Sequence, residues 1–182
     1  MGESAMNTSR WWFSILVVAL CSLVAGPAMA ETDKSGRWGV HFQIYGEPHE
    51  EGTPIYLNVV PLTYEYPLGQ RVSLKAGTIF SLRFGGGVNL GNVGAKVGLP
   101  VYFSSDQDSA MRGLFGGPLV QVSKNLHTTE LVTSAAIELG YSLPLGDRMS
   151  MNLGGELGIS VFVLDGETSV GPHLGPSIYL FF

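Results

Sequence analysis

Polar and apolar residues alternate along much of this chain, over stretches long enough to define elements. From Val72 the even positions read Val72, Leu74, Ala76, Thr78, Phe80, Leu82 and Phe84, with Ser73, Lys75, Gly77, Ile79, Ser81 and Arg83 between them. A period of two over a dozen residues predicts a β-strand with one apolar and one polar face. The pattern returns in Val93, Ala95, Val97, Leu99, Val101 and Phe103 against Asn92, Gly94, Lys96, Gly98 and Tyr102. It returns again in Leu131 to Gly140, where Glu138 lies on the polar side, and in Asn152 to Val163, where Glu156 does. Four less regular stretches complete the series: Trp38 to Tyr45, Ile55 to Tyr66, Leu114 to Ser123, and about Leu174 to Phe182. The second of these is apolar on both faces and contains Pro61, which cannot donate a ladder hydrogen bond, so a bulge or a change of facing is expected there. Pro118 occupies a similar place in the fifth strand.

Turn signals separate these eight strands. Pro67-Leu68-Gly69-Gln70-Arg71 and Pro144-Leu145-Gly146-Asp147-Arg148 are near copies 77 residues apart, and Ser104 to Ser109 falls midway between them. Even spacing assigns the three to one end, the turn end. The likeness extends to Tyr64 with Tyr141, Ser73 with Ser150 and Gly77 with Gly154; a half-barrel duplication and shared turn demands both account for it. Short loops are expected at the opposite, loop end: Glu47 to Thr53, Gly85 to Gly91, Lys124 to Glu130, and Leu164 to Gly171.

Composition decides where such strands live. Charged residues make up 14% of the chain, against roughly 25% in soluble domains. Beyond residue 30 no segment is apolar for the eighteen residues a membrane helix needs. Low charge, 25 glycines and alternating strands point to an all-β fold, a closed antiparallel up-and-down transmembrane β-barrel. Eight strands is the number at which side chains can just fill a barrel interior. A soluble barrel would need rows of charge on its water-facing side, whereas the polar face here is Gly, Ser and Asn with isolated charges.

The first thirty residues read as a cleavable export signal. Arg10 ends a short polar region, Trp11 to Ala25 are apolar, Gly26-Pro27 break the run, and Ala28-Met29-Ala30 supply the small residues a signal peptidase needs. The two expected parts are thus a signal peptide, residues 1–30, and a barrel, residues 31–182. Cys21, the one cysteine, lies within the signal and follows Val18-Ala19-Leu20, which lacks a lipoprotein site's small residue. The rest of the chain therefore has no disulfide, thiolate metal site or cysteine nucleophile. Nine basic against fourteen acidic residues remain after Arg10 and Glu3 leave, a balance unsuited to nucleic acid.

The last strand ends in Phe182, with Leu180, Ile178, Pro176 and Leu174 at every second position before it. In this the chain resembles the small outer-membrane β-barrels of Gram-negative bacteria, although Pro176 is atypical and Leu180 stands where an aromatic residue is common. The resemblance implies an outer-membrane location and a C-terminal assembly signal carried by Phe182, Leu180 and Ile178. It also implies outer-membrane lipids and the barrel-assembly machinery as partners, with a monomeric barrel and no cofactor. No subfamily is singled out. The even strands end in Tyr64 and Tyr66, Tyr102 and Phe103, Tyr141, and Phe181-Phe182, as expected for an interfacial ring of aromatics.

Lys75, Arg83, Lys96, Glu138 and Glu156 are the charges expected inside. Arg or Lys facing mid-bilayer lipid costs about 2–4 kcal/mol, which drives such side chains inward. There they form either a salt-bridged plug or the filter of a narrow pore. An enzyme of lipid A or phospholipid is a third reading; lipid A deacylases of this class carry His-x-Ser on one strand face, and that spacing is absent. His127, His173, His41 and His49 are the histidines to place. The Glu47-His49-Glu50-Glu51 run reads as a solvated acidic loop rather than a metal site. A structural, envelope or surface-interaction role without catalysis is the leading expectation.

Overall fold

The computed structural model of the chain describes residues 35–46, 55–58, 62–84, 88–103, 111–146 and 149–182. The expected signal, the first outer loop with His49, Pro61 and the turn at 104–109 lie outside the described residues. Ten strand segments follow one another: β1 Arg37–Gly46, β2 Ile55–Asn58, β3 Leu62–Pro67, β4 Ser73–Phe84, β5 Val88–Gly98, β6 Val101–Tyr102, β7 Gly113–Asn125, β8 Leu131–Pro144, β9 Ser150–Leu164 and β10 Glu167–Phe181. Segments β2 and β3 share one place between β1 and β4, and β5 and β6 both lie against β7, so the ten make eight barrel strands. All pairings are antiparallel, and β10 returns to β1 from Gly39↔Phe181 to Gln43↔Ser177. The sheet is closed and has no free edge along that seam.

The interrupted second strand contains one additional residue. Strand β1 pairs Gln43 with Asn58 but Val40 with Leu62, and β4 pairs Ser81 with Asn58 but Gly77 with Thr63. Against both neighbours the register slips by one, so even residues Tyr56 and Asn58 face inward before the slip and odd residues Thr63 and Glu65 after it. This is the change of facing expected around Pro61.

A second bulge has no proline to announce it. Phe80 pairs with Val93 and Leu82 with Leu90, leaving Gly91 and Asn92 opposite Ser81. The Asn92 N–H donates to Ser81 Oγ at 2.7 Å. Glycine is required at 91 because a Cβ there would lie 2.7 Å from Ser81 Oγ and 2.8 Å from the Tyr56 ring. Pro118, by contrast, causes no irregularity: the β7–β8 register is unbroken from Gly113↔Ser142 to Lys124↔Leu131. Its carbonyl still accepts from the Leu99 N–H at 3.0 Å, and the donor it lacks falls on the Leu99–Pro100 side, where β5 gives way to β6.

The fourth connection at the loop end is shorter than expected. Strands β9 and β10 pair up to Leu164↔Glu167, leaving a two-residue turn of Asp165 and Gly166 with φ of 49° and 87°. Asp-Gly is the pair that a tight hairpin with two left-handed residues favours.

Facing divides the barrel sharply. Outward positions of the described strands are apolar or small, Lys124 near the loop end being the one charge among them. Inward positions hold the buried polar residues, together with Ile79, Phe115, Leu119, Val132 and Phe162. A soluble barrel has the reverse arrangement.

Replacing Gly91 by Val should lower barrel stability by about 1–3 kcal/mol, as expected for a side chain forced into filled space. Urea unfolding of the refolded protein in liposomes measures it; an unchanged midpoint would show that the bulge has room to spare.

Candidate functional site: the filled lumen

Inward alternation brings side chains from all ten strand segments into the barrel interior. At the turn end, Arg37 of β1 meets Glu65 of β3: Nη2 and Nε donate to Glu65 Oε2 at 2.7 and 3.1 Å. Its Nη1 donates to Ser150 Oγ at 2.5 Å, and the guanidinium lies 4.3 Å from the centroid of the Phe181 ring. The other Glu65 oxygen accepts from the Ser73 hydroxyl and, at 2.7 Å, from the Tyr102 hydroxyl. Fully buried, this carboxylate has lost its water and regained four donors.

Above it Lys75 of β4 is paired with Glu138 of β8. Its ammonium sits 3.9 Å from the centroid of the Tyr179 ring and 5.5 Å from that of Phe115. Glu138 and Glu156 are directly opposed across β8 and β9. Two like charges in that relation repel, and here each is taken by its own lysine.

Lys96 of β5 is the most heavily engaged cation. Its Nζ lies 3.0 Å from Glu156 Oε1, 2.8 Å from His41 Nε2, 2.8 Å from Tyr179 OH and 3.4 Å from Gln43 Oε1. Glu156 Oε2 accepts from Gln43 Nε2 at 2.7 Å and from His173 Nε2 at 3.0 Å. Toward the loop end, Ser160 Oγ and Gln121 Nε2 approach His173 Nδ1 at 3.4 and 3.5 Å, and Ser134 joins Ser160 at 2.6 Å. Asn92 donates to Tyr45 OH at 3.0 Å and Asn125 to Tyr56 OH at 2.9 Å, with the two tyrosines stacked. Three cations thus meet three carboxylates along the described axis, and the interior is close to neutral.

Of the charges expected inside, Lys75, Lys96, Glu138 and Glu156 come together. Arg83 does not join them: it sits half-buried at the loop end of β4, opposite Tyr56 and Asn89, beyond Ser81. Arg37 and Glu65 complete the set but were not anticipated. Arg37 precedes the first clear alternation, and Glu65 lies past the bulge that hides its parity.

Among the aromatics, Tyr64, Tyr66, Phe103, Tyr141 and Phe182 lie on the outward face at the turn end, with Trp38 packed on Tyr64 at 4.8 Å. Tyr102 and Phe181 are corrections to the expected ring. They are 2% and 1% exposed and point inward, Tyr102 to serve Glu65 and Phe181 to lie against Arg37. Both follow strand parity rather than closeness to the strand end. Ile178 and Leu180 face outward, as Phe182 does, while Tyr179 between them is a hub of the lumen.

Ser160, His173 and Glu156 form a hydrogen-bonded series of the kind hydrolases use. Ser160 is only 3% exposed, however, and Glu156 is also ion-paired with Lys96. Ser177, on the same face of β10 as His173, is not in that series.

No family model and no curated sequence matches the chain. Among solved structures it is similar to outer membrane protein AlkL, determined by solid-state NMR in DMPC lipid bilayers, at 10% identity and a TM-score of 0.40. The match covers 85% of this chain and 91% of that one. At that distance the likeness is one of outline.

Glu138→Gln leaves Lys75 buried without its counterion and should destabilise the barrel by about 3–5 kcal/mol, whereas Lys75→Met with Glu138→Leu should recover most of the loss. Equilibrium urea unfolding of the three proteins tests this; equal losses for the single and double replacements would mean the pair does not act as a unit.

Proposed function

We propose that this chain is an integral outer-membrane β-barrel with a structural or surface-interaction role in the cell envelope, non-enzymatic and closed to solute. The observation that carries this reading is the filled lumen. Ion pairs Arg37–Glu65, Lys75–Glu138 and Lys96–Glu156 succeed one another along the axis, with Tyr179 wedged between the second and third. An eight-stranded barrel has little bore to begin with, and here that bore is occupied by side chains that hold one another.

The outer-membrane address is supported by the apolar exterior, the export signal read in residues 1–30 and the strand ending in Phe182. On this reading the turn end faces the periplasm, and Trp38, Tyr64, Tyr66, Phe103, Tyr141 and Phe182 form an aromatic girdle at that interface. Phe182, Ile178 and Leu180 make the outward stripe that the assembly machinery reads. Lipids of the outer membrane are then the barrel's permanent neighbours, and it works as a monomer without nucleic acid or cofactor.

Planar-bilayer recording tests the closed lumen: the purified barrel should show no steady conductance. Regular openings whose size changes on neutralising Glu138 or Lys96 would establish a pore instead. Deleting Phe182 should reduce the membrane-assembled fraction several-fold without altering export, as read by cell fractionation. Recovery of the intact protein as a soluble periplasmic species would overturn the membrane placement.

A further inference from the structure

His41 holds a position in the lumen that its protonation state decides. Lys96 is ion-paired with the Glu156 carboxylate, 3.0 Å from its Nζ. The same ammonium stands 2.8 Å from His41 Nε2, so the imidazole must offer a lone pair there and carry its one proton on Nδ1. Nδ1 is buried and has no hydrogen-bond partner. The ring is stacked on Tyr179, centroids 4.3 Å apart.

The groups facing His41 come from several strands: Lys96 from β5, Glu156 from β9, Tyr179 from β10, and across the Tyr179 ring Lys75 from β4 with its partner Glu138 from β8. Two ammoniums already balance two carboxylates. A second proton on His41 would place two cations at 2.8 Å and add a charge that nothing there compensates. His173 is different, because its Nε2 faces a carboxylate oxygen of Glu156 at 3.0 Å rather than a cation.

We propose that His41 is a proton-sensitive fastener of the lumen. Neutral, it accepts from Lys96 and ties β1 to β5 across the barrel. Protonated, it releases Lys96 and loosens the packing around Tyr179. An exposed histidine takes its proton near pH ~6.5. The unfolded chain therefore binds that proton freely, while the folded barrel binds it only by breaking the contact. Acid thus favours the loosened or unfolded chain, and stability should fall between about pH 7.5 and about pH 5.

Thermal unfolding of the full barrel in liposomes at those two pH values tests the proposal. Wild type should lose about 5 °C or more of Tm on acidification. His173→Gln should keep that loss, and His41→Gln should lose less than half as much. Equal losses in wild type and His41→Gln, or no loss in wild type, would overturn it. Should His41→Gln fail to assemble, nitrogen NMR of the histidine-labelled wild type decides. The expected His41 ring is protonated on Nδ1 alone at about pH 7.5, and on acidification it takes its second proton only together with a shift of the Lys96 Nζ signal. A ring doubly protonated throughout, or one that takes its second proton with the Lys96 signal unmoved, would sink the idea. None of these readouts depends on whether the lumen conducts.

Discussion

A charge on a strand of this barrel has two bad alternatives: lying on the apolar exterior, or facing inward with no partner. The Lys96–Glu156 pair resolves both, and the rest of the interior is arranged around it. Lys96 comes from β5, Glu156 from β9, His41 and Gln43 from β1, and Tyr179 and His173 from β10. These strands are not all neighbours, so the cluster forms only when the sheet has closed and every strand stands in its proper register. A slip of one residue in any of them would turn its whole inward set to the apolar exterior. The polar core therefore selects one register from the many that apolar alternation alone would tolerate.

The two bulges are the price of keeping that selection consistent. Tyr56 and Asn58 face inward at even positions. Without the additional residue between Asn58 and Leu62, the same parity would carry Tyr64 and Tyr66 into the lumen and turn Thr63 and Glu65 outward. Arg37 would then be left half-buried without its carboxylate. The Gly91–Asn92 bulge does the corresponding work in β5. It lets Asn92 and Lys96 face inward while Leu90, on the far side of the bulge, still faces out. Each irregularity in the ladder thus keeps a polar side chain off the apolar exterior.

This also accounts for what could be read from the sequence and what could not. Where alternation is uninterrupted, parity alone placed Lys75, Lys96, Glu138 and Glu156 on the inner face. It could not pair them, because which strands meet across the lumen depends on tilt and stagger. Arg37 and Glu65 were hidden for local reasons, the one at the start of a strand and the other behind a bulge. Arg83 shares the parity of Lys75 but lies too far along β4 to reach the network. Tyr102 and Phe181 were assigned to the exterior from their nearness to strand ends; their own parity, which points inward, was the better guide. The Asp165-Gly166 turn was legible as a hairpin signal and was absorbed into a longer expected loop.

An apolar interior would avoid the cost of burying three ion pairs, and replacing such pairs by hydrocarbon is often neutral or stabilising in folded proteins. In this chain it would carry another consequence. Strands β9 and β10 are 15 residues each, and with apolar residues on both faces each would approach the run of eighteen that reads as a membrane helix. Joined by a two-residue turn, the pair would exceed it. Polar residues at every second position keep each strand well short of that run, and closure of the sheet then hides them. The charges are then confined where each must have a partner, and the Lys96 cluster meets that demand with side chains from four strands. The same feature that keeps the unfolded chain from behaving as a helix thereby specifies the closed barrel.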